Sequence, residues 1–323
     1  SFSSALYRAF CFLVSLLASA ADAMTRHFLT LKDLSRSELV ALIHRAIALK
    51  KDPTGSQTAD LMRLRTMVLI FEKSSTRTRI SFEVACAHLG GSSVFLSPGD
   101  SQMSRGESVS DTARIVSSMA DLIVMRTGEH SRVRAMAEHS VVPVINALSQ
   151  DFHPCQLLAD LQTFFEHRGN IQGACVAFVG DGSSNVCQSW VDAAAMMGFE
   201  LRVGAPEGYH PHPDLIAAAG KHCLITTSPR EAVADADLVI TDTWAGMGQE
   251  EEKTQRLAAL SDFQVNEALM AAASQEALFM HCLPAYRGQE VSAEVLEGPQ
   301  SVIWDEAENR LHAQKALIEL LMG

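Results

Sequence analysis

An α/β fold in two domains, each a parallel sheet flanked by helices, is predicted by three features of the sequence. The chain has 323 residues, 47% hydrophobic and 20% charged, which is more than one core usually serves. Short apolar runs of strand length alternate with segments of helical period, the pattern of strands joined by crossover helices. The residues with chemical potential fall where the apolar runs end, and that is where open α/β sheets bind ligands.

Residues 1 to 23 stand apart. Ala9 to Ala20 is an apolar run preceded by Arg8, with small residues at Ala18, Ala20 and Ala23, and it imitates the apolar part of a secretory signal. Its twelve residues are too few to cross a bilayer, which takes ~20, and no later segment is long and uncharged enough. The stretch reads as an extension outside the fold, signal-like or transit-like. The rest is expected in the cytoplasm, or in the mitochondrial matrix if the extension is a transit peptide.

From Leu34 to Lys50, Leu39, Leu42, Ile43, Ala46, Ile47 and Leu49 recur at helical spacing, with Ser35 and Ser37 as candidate caps. Met67 to Phe71 is β-prone and breaks off in Glu72-Lys73-Ser74-Ser75-Thr76-Arg77-Thr78-Arg79, followed by a segment of helical composition. A helix over 81–89, a strand over 93–96, a helix over 110–119 and strands over 121–126 and 142–145 follow. Gln156 to Arg168 carries Leu157, Leu158, Leu161, Phe164 and Phe165 on one side and reads as a long helix leading into a second unit. That unit has expected strands at 175–179, 201–205, 223–226, 238–241 and 278–281. The tail from Ala307 to Met322 is amphipathic, and Glu306, Asn309 and Arg310 lead into it.

A formal net charge of −12 argues against general binding to nucleic acid or an anionic membrane, since phosphate backbones demand a basic face. The cationic groups that matter must be locally focused. Seven cysteines, an odd and scattered number without CxxC or Cys/His spacing, predict a reducing compartment and no structural metal.

The stretch from Phe71 to Arg79 has the chemistry of a polyanion cradle. A helix begins with unpaired N–H groups and a partial positive charge, and Arg77 and Arg79 are placed to add full charges. Arg126 ends one strand and His153 follows another, residue types that polarise a carbonyl as charge builds on its oxygen. Asp242 ends a later strand and suits an ammonium ligand. Cys282 beside His281 invites a cysteine-nucleophile reading, yet neighbours on a strand point to opposite faces, which places His281 poorly as its base. Val179-Gly180-Asp181-Gly182 hints at a dinucleotide turn but lacks the third glycine at the helix start. An NAD-dependent oxidoreductase therefore stays open as an alternative.

The stretch from Phe71 to Arg79 resembles the carbamoyl phosphate loop of the aspartate/ornithine carbamoyltransferase family, in its ornithine version. Asp151-Phe152-His153-Pro154-Cys155-Gln156 and His281-Cys282-Leu283-Pro284 resemble two further blocks of that family, in its order and at its separations. The likeness covers about residues 24 to 323. It implies a carbamoyl phosphate domain over 24–155, an ornithine domain over 156–304, and a C-terminal helix over 305–323 that returns to the first.

The implied reaction moves the carbamoyl group of carbamoyl phosphate to the δ-amino group of L-ornithine, without cofactor or metal. By the same resemblance Ser75, Thr76, Arg77 and Thr78 hold phosphate. Thr78, Arg126, His153 and Arg310 polarise the carbonyl, Gln156 orients the amide, and the carbonyls of Cys282 and Leu283 bind its NH2. Asn185, Asp242, Gly246 and Met247 hold ornithine, with Asp242 and Cys282 tuning proton loss. Gln102 belongs to a loop that reaches a neighbouring subunit's site, implying a homotrimer. Two departures stand out. Gly246 replaces the family's serine, and Ser183-Ser184 replaces part of a paired-asparagine turn. They keep two further alternatives open, a transferase for a related amine such as putrescine and a non-catalytic binding homologue.

Overall fold

The computed structural model describes residues 25–53, 59–245 and 252–323. The first sheet contains β1 (Thr66–Phe71), β2 (Ser92–Leu96), β3 (Leu122–Arg126) and β4 (Val144–Leu148), in the order β2-β1-β3-β4 and parallel throughout. The second contains β5 (Cys175–Val179), β6 (Glu200–Gly204), β7 (Cys223–Thr226), β8 (Leu238–Thr241) and β9 (Leu278–His281), in the order β7-β6-β5-β8-β9, also parallel. Helices cover both sheets, as parallel strands require. The inner strands β3 and β8, and β9 at the edge of the second sheet, are buried at every position, which is why they read as unbroken apolar runs. The edge strand β2 is not.

The named helices of the first half are α1 (Arg36–Lys51), α2 (Thr76–His88), α3 (Val109–Ser117), α4 (His130–His139) and α5 (Pro154–Arg168). In α1 the buried face is Leu39, Leu42, Ile43, Ala46 and Leu49, and a Ser35/Glu38 capping box closes its start. In this half two element starts and one whole element differ notably from expectation. The second helix starts at Thr76 rather than near 81, because the Ser75 hydroxyl accepts from the Thr78 N–H and caps it. β4 starts after Pro143, which has no N–H to give the ladder. α4 is an element that the apolar pattern concealed. It buries only Val133, Met136 and Ala137, yet the parallel pairing of β3 and β4 demands a crossover.

The helix α6 (Asn185–Met197) follows β5, and the C-terminal helix spans Ile303–Met322. The latter begins before Ala307, so Glu306, Asn309 and Arg310 lie on it, and at that spacing they share one face. It runs back to the first half, where Glu319 pairs with Arg45 at 2.6 Å and Asn309 Oδ1 accepts from Lys50 Nζ at 2.8 Å. One buried apolar cluster runs from Phe28 and Phe82 through Leu158 and Leu317 to Phe178 and Met280. Thus α5 and the C-terminal helix join the sheets, and the expected division at 155/156 falls in the first turn of α5. No helix among the described residues is long and apolar enough to cross a membrane.

Candidate active site

The N-terminus of α2 is built from its own sequence. Ser75, extended at φ −159, caps it, leaving Thr76 exposed and Thr78 buried in its first turn. Arg77 leans across to the second sheet, where its Nη2 donates to Leu283 O at 2.5 Å. Leu283 itself stands at φ 55, a conformation disfavoured for a leucine. Its N–H donates to His281 Nδ1 at 2.9 Å, so both ends of its backbone are held. Arg79 does not join this group. It pairs with Glu83 at 3.1 Å and lies over the Phe95 ring at 3.7 Å, because a helix turns successive side chains by about 100°.

Three more groups converge from other elements. Arg126 ends β3, His153 caps α5 after β4, and Arg310 comes from the C-terminal helix; all three are buried. Arg310 Nη2 donates to Thr78 Oγ1 at 3.2 Å and Nη1 to Gln156 Oε1 at 2.6 Å. Burial, then the Arg310 and Arg77 charges, lower Arg126 to about 10. Burial and the same cations hold His153 well below the usual imidazole range, so it is neutral at pH 7. Among the described residues, Arg126 Nε, Arg310 Nε and His153 Nδ1 have no hydrogen-bond partner, and Arg77, Arg126 and Arg310 pair with no carboxylate. Such a cluster favours an anion strongly.

Gln156 is more constrained than its expected role suggested. Its Nε2 donates to Asp160 Oδ1 at 2.8 Å and to Glu306 Oε1 at 3.0 Å. Both amide hydrogens are engaged, so only Oε1, already bound to Arg310, can accept from another amide. Asp160 was not singled out in the sequence, although it lies one helical turn after Gln156, the spacing at which the two side chains meet.

Opposite the cations, Cys282 Sγ donates to Asp242 Oδ1 at 3.2 Å, and Asp242 also accepts from Thr243 N at 2.7 Å. Burial, with the nearby Asp242 charge, drives the Cys282 thiol well above its ordinary value. The neighbouring His281 is turned to Glu290, Nε2 to Oε1 at 3.1 Å, so Cys282 has neither thiolate character nor the neighbouring histidine as a base. Asn185 is the first residue of α6 and donates to Ser149 O at 2.8 Å. It lies beyond β5 and Asp242 beyond the adjacent β8. Gln102 is exposed in a 3-10 turn over Gln102–Arg105 and is not brought into this cluster. Gly246 and Met247 lie outside the described residues.

The turn at Gly180 and Gly182 has a packing reason. A β-carbon on Gly182 would sit 2.7 Å from Tyr209 O and 2.9 Å from Val203 Cγ1. Asp181 pairs with buried Arg256. The second glycine thus admits a neighbouring protein segment, where a dinucleotide turn would admit a pyrophosphate. A cavity of about 260 Å³ lies where the ends of β1 and β2 meet the turn at Gln102–Arg105, lined by Phe71, Glu72, Ser97, Met103 and Arg132 among others. It shares no lining residue with the cationic cluster.

Comparison with known proteins matches the two halves separately. Residues 26–166 match the carbamoyl-P binding domain of aspartate/ornithine carbamoyltransferase, and residues 172–321 its Asp/Orn binding domain. The chain is 58% identical over 297 residues to an ornithine carbamoyltransferase of Methylococcus capsulatus, covering 92% of this chain and 98% of that one. It is 52% identical to an anabolic ornithine carbamoyltransferase of Pseudomonas aeruginosa, covering 92% and 97%. The solved ornithine carbamoyltransferase of Pyrococcus furiosus superposes with a TM-score of 0.87 at 43% identity, covering 93% and 97%. With both halves matched and the cation cluster formed between them, the chain belongs to the aspartate/ornithine carbamoyltransferase family.

Proposed function

We propose that the chain transfers the carbamoyl group of carbamoyl phosphate to the δ-amino group of L-ornithine, giving L-citrulline and phosphate. The observation that carries the reading is the meeting of Arg77, Arg126, Arg310, Thr78 and a neutral His153 at the start of α2, without a carboxylate partner among the described residues for any of the arginines. Phosphate takes the Ser75, Thr76, Arg77 and Thr78 end, where N–H groups and charge coincide. The carbonyl oxygen faces Thr78, Arg126, His153 and Arg310, donors suited to a tetrahedral intermediate. Gln156 Oε1 and the carbonyls of Cys282 and Leu283 accept from the carbamoyl NH2.

Ornithine is held by Asn185 and Asp242, with Gly246 and Met247 from the adjoining segment. Asp242 takes the α-ammonium. The δ-amine resembles that of lysine, whose pKa is ~10.4, so it must lose its proton to attack. That first proton goes to water; the neutral amine then forms the C–N bond of a tetrahedral intermediate, the C–O bond to phosphate breaks, and the departing phosphate receives the second proton from the same nitrogen. No cofactor enters this balance. Gln102, exposed and outside its own cluster, serves a neighbouring subunit's site, and the working assembly is a homotrimer.

The test is a citrulline assay with carbamoyl phosphate and a panel of amines. Ornithine should be carbamoylated fastest. Faster turnover of putrescine, which lacks the α-carboxylate, would reassign the acceptor; no product with any amine would leave only a binding role.

A further inference from the structure

The mechanism does not use two of the most deeply buried acids, Asp160 on α5 and Glu306 on the C-terminal helix, each 1% exposed. They are bracketed by a single amide, since Gln156 Nε2 donates to one oxygen of each. The other oxygen of Glu306 accepts the His281 N–H at 2.9 Å, directly before Cys282 and Leu283. A closed circuit results. Arg310 joins Thr78 to Gln156, Gln156 joins both acids, Glu306 joins the end of β9, and Arg77 returns from Leu283 to α2. Every candidate carbamoyl contact on the C-terminal helix and α5 hangs on this circuit.

The charge balance is unusual. The groups facing the pair are Arg310, from the helix of Glu306, and the Cys282 thiol at the end of β9. His281 offers its backbone N–H while its ring turns to Glu290. From α6 comes the Trp190 indole, beside Asp160 but outside hydrogen-bonding geometry. One arginine cannot offset two buried carboxylates this close, and like charges in one site do not both ionise.

We propose that Asp160 and Glu306 share one proton and act as the positioning element that orients Gln156 and, through it, Arg310. Holding one proton, the pair carries a single negative charge that matches Arg310. The Gln156 amide then has one allowed orientation, Nε2 towards the acids and Oε1 towards Arg310. Burial raises Asp160 to about 7 and holds Glu306 well above the usual carboxylate range, with Asp160 adding to the latter. The two titrate as a unit. When the shared proton leaves at alkaline pH, a second negative charge draws Arg310 from Thr78 and weakens its hold on the carbonyl oxygen.

Asp160→Asn tests this, because it keeps an acceptor for Gln156 while fixing the site at one negative charge. In the infrared spectrum at neutral pH, a protonated-carboxyl C=O band of the wild type should be lost in Asp160→Asn and in Glu306→Gln. That reading stands apart from the catalytic assignment. The kinetic arm rests on carbamoyl transfer: kcat of Asp160→Asn should stay within about threefold of wild type at pH 7. Its alkaline fall should move up by at least about one pH unit, with the carbamoyl phosphate KM little changed. Glu306→Ala, which strands the His281 N–H, should lose at least about tenfold in kcat. A carboxyl band that persists in both substituted proteins overturns the shared proton. Superimposable pH profiles of wild type and Asp160→Asn overturn the positioning role.

Discussion

Arg77 touches both halves of the site, since it sits in the first turn of α2 and donates to Leu283 O after β9. A charge-assisted contact of this kind contributes ~1.5 to 3 kcal/mol. Arg77→Ala should therefore cut citrulline formation by more than about tenfold while leaving the circular dichroism spectrum unchanged; a smaller loss would remove Arg77 from the phosphate contact. Cys282 supplies the second residue-scale prediction. Its neutral thiol bonds Asp242 while the His281 ring is turned to Glu290, which favours the proposed direct attack by the amine. Initial-rate lines for the two substrates should intersect. Parallel lines, the mark of a carbamoylated enzyme, would restore Cys282 as nucleophile. The residues carrying both predictions were legible from their motifs, whereas the departure of Arg79 to Phe95 was not, because which face of α2 meets the site depends on its docking.

At the scale of the element, the C-terminal helix carries more of the site than its sequence suggested. Arg310 reaches Thr78 and Glu306 reaches Gln156, while His312 is buried on the same helix and lowered to about 4 by burial, with Lys50 and Lys315 reinforcing and Glu308 and Glu166 opposing. A histidine whose folded value is depressed stays neutral in the native state while the unfolded chain takes up a proton below ~6.5. Its contribution to stability is therefore full above pH 6.5 and lost as pH falls towards 4. The melting temperature should drop more steeply over that window in the wild type than in His312→Leu. Equal slopes would show that other groups govern acid unfolding. A helix of this length was visible in the periodicity, but its early start was not, since Ile303 and Trp304 follow a strand-like stretch.

At the scale of the whole molecule, the proposed trimer with shared sites predicts complementation. Arg77→Ala disables a chain's own cradle, and Gln102→Ala disables only the loop it lends. Mixed trimers reassembled from equal amounts of the two inactive proteins should contain wild-type sites at about a quarter of positions and regain a corresponding share of activity. No recovery, with mixed trimers verified by mass, would place Gln102 in its own subunit's site or outside any site.

The sequence by itself determined the alternation of strands and helices, the burial of the inner strands and the capped, basic helix start of the proposed cradle, because these depend on residues close together in the chain. Apolar runs, a serine cap and a basic first turn are local signals. It also marked Arg126, His153, Asp242 and Cys282 by their positions at strand ends. Only the tertiary structure decided that Asp160 and Glu306 grip one amide, that Arg310 reaches Thr78 across 232 residues of sequence, and that Gly182 yields space to Tyr209. Those relations arise between elements whose faces are chosen by packing. Hydrogen-bond partners in a buried network are set by which surfaces exclude water together, and no local pattern records that.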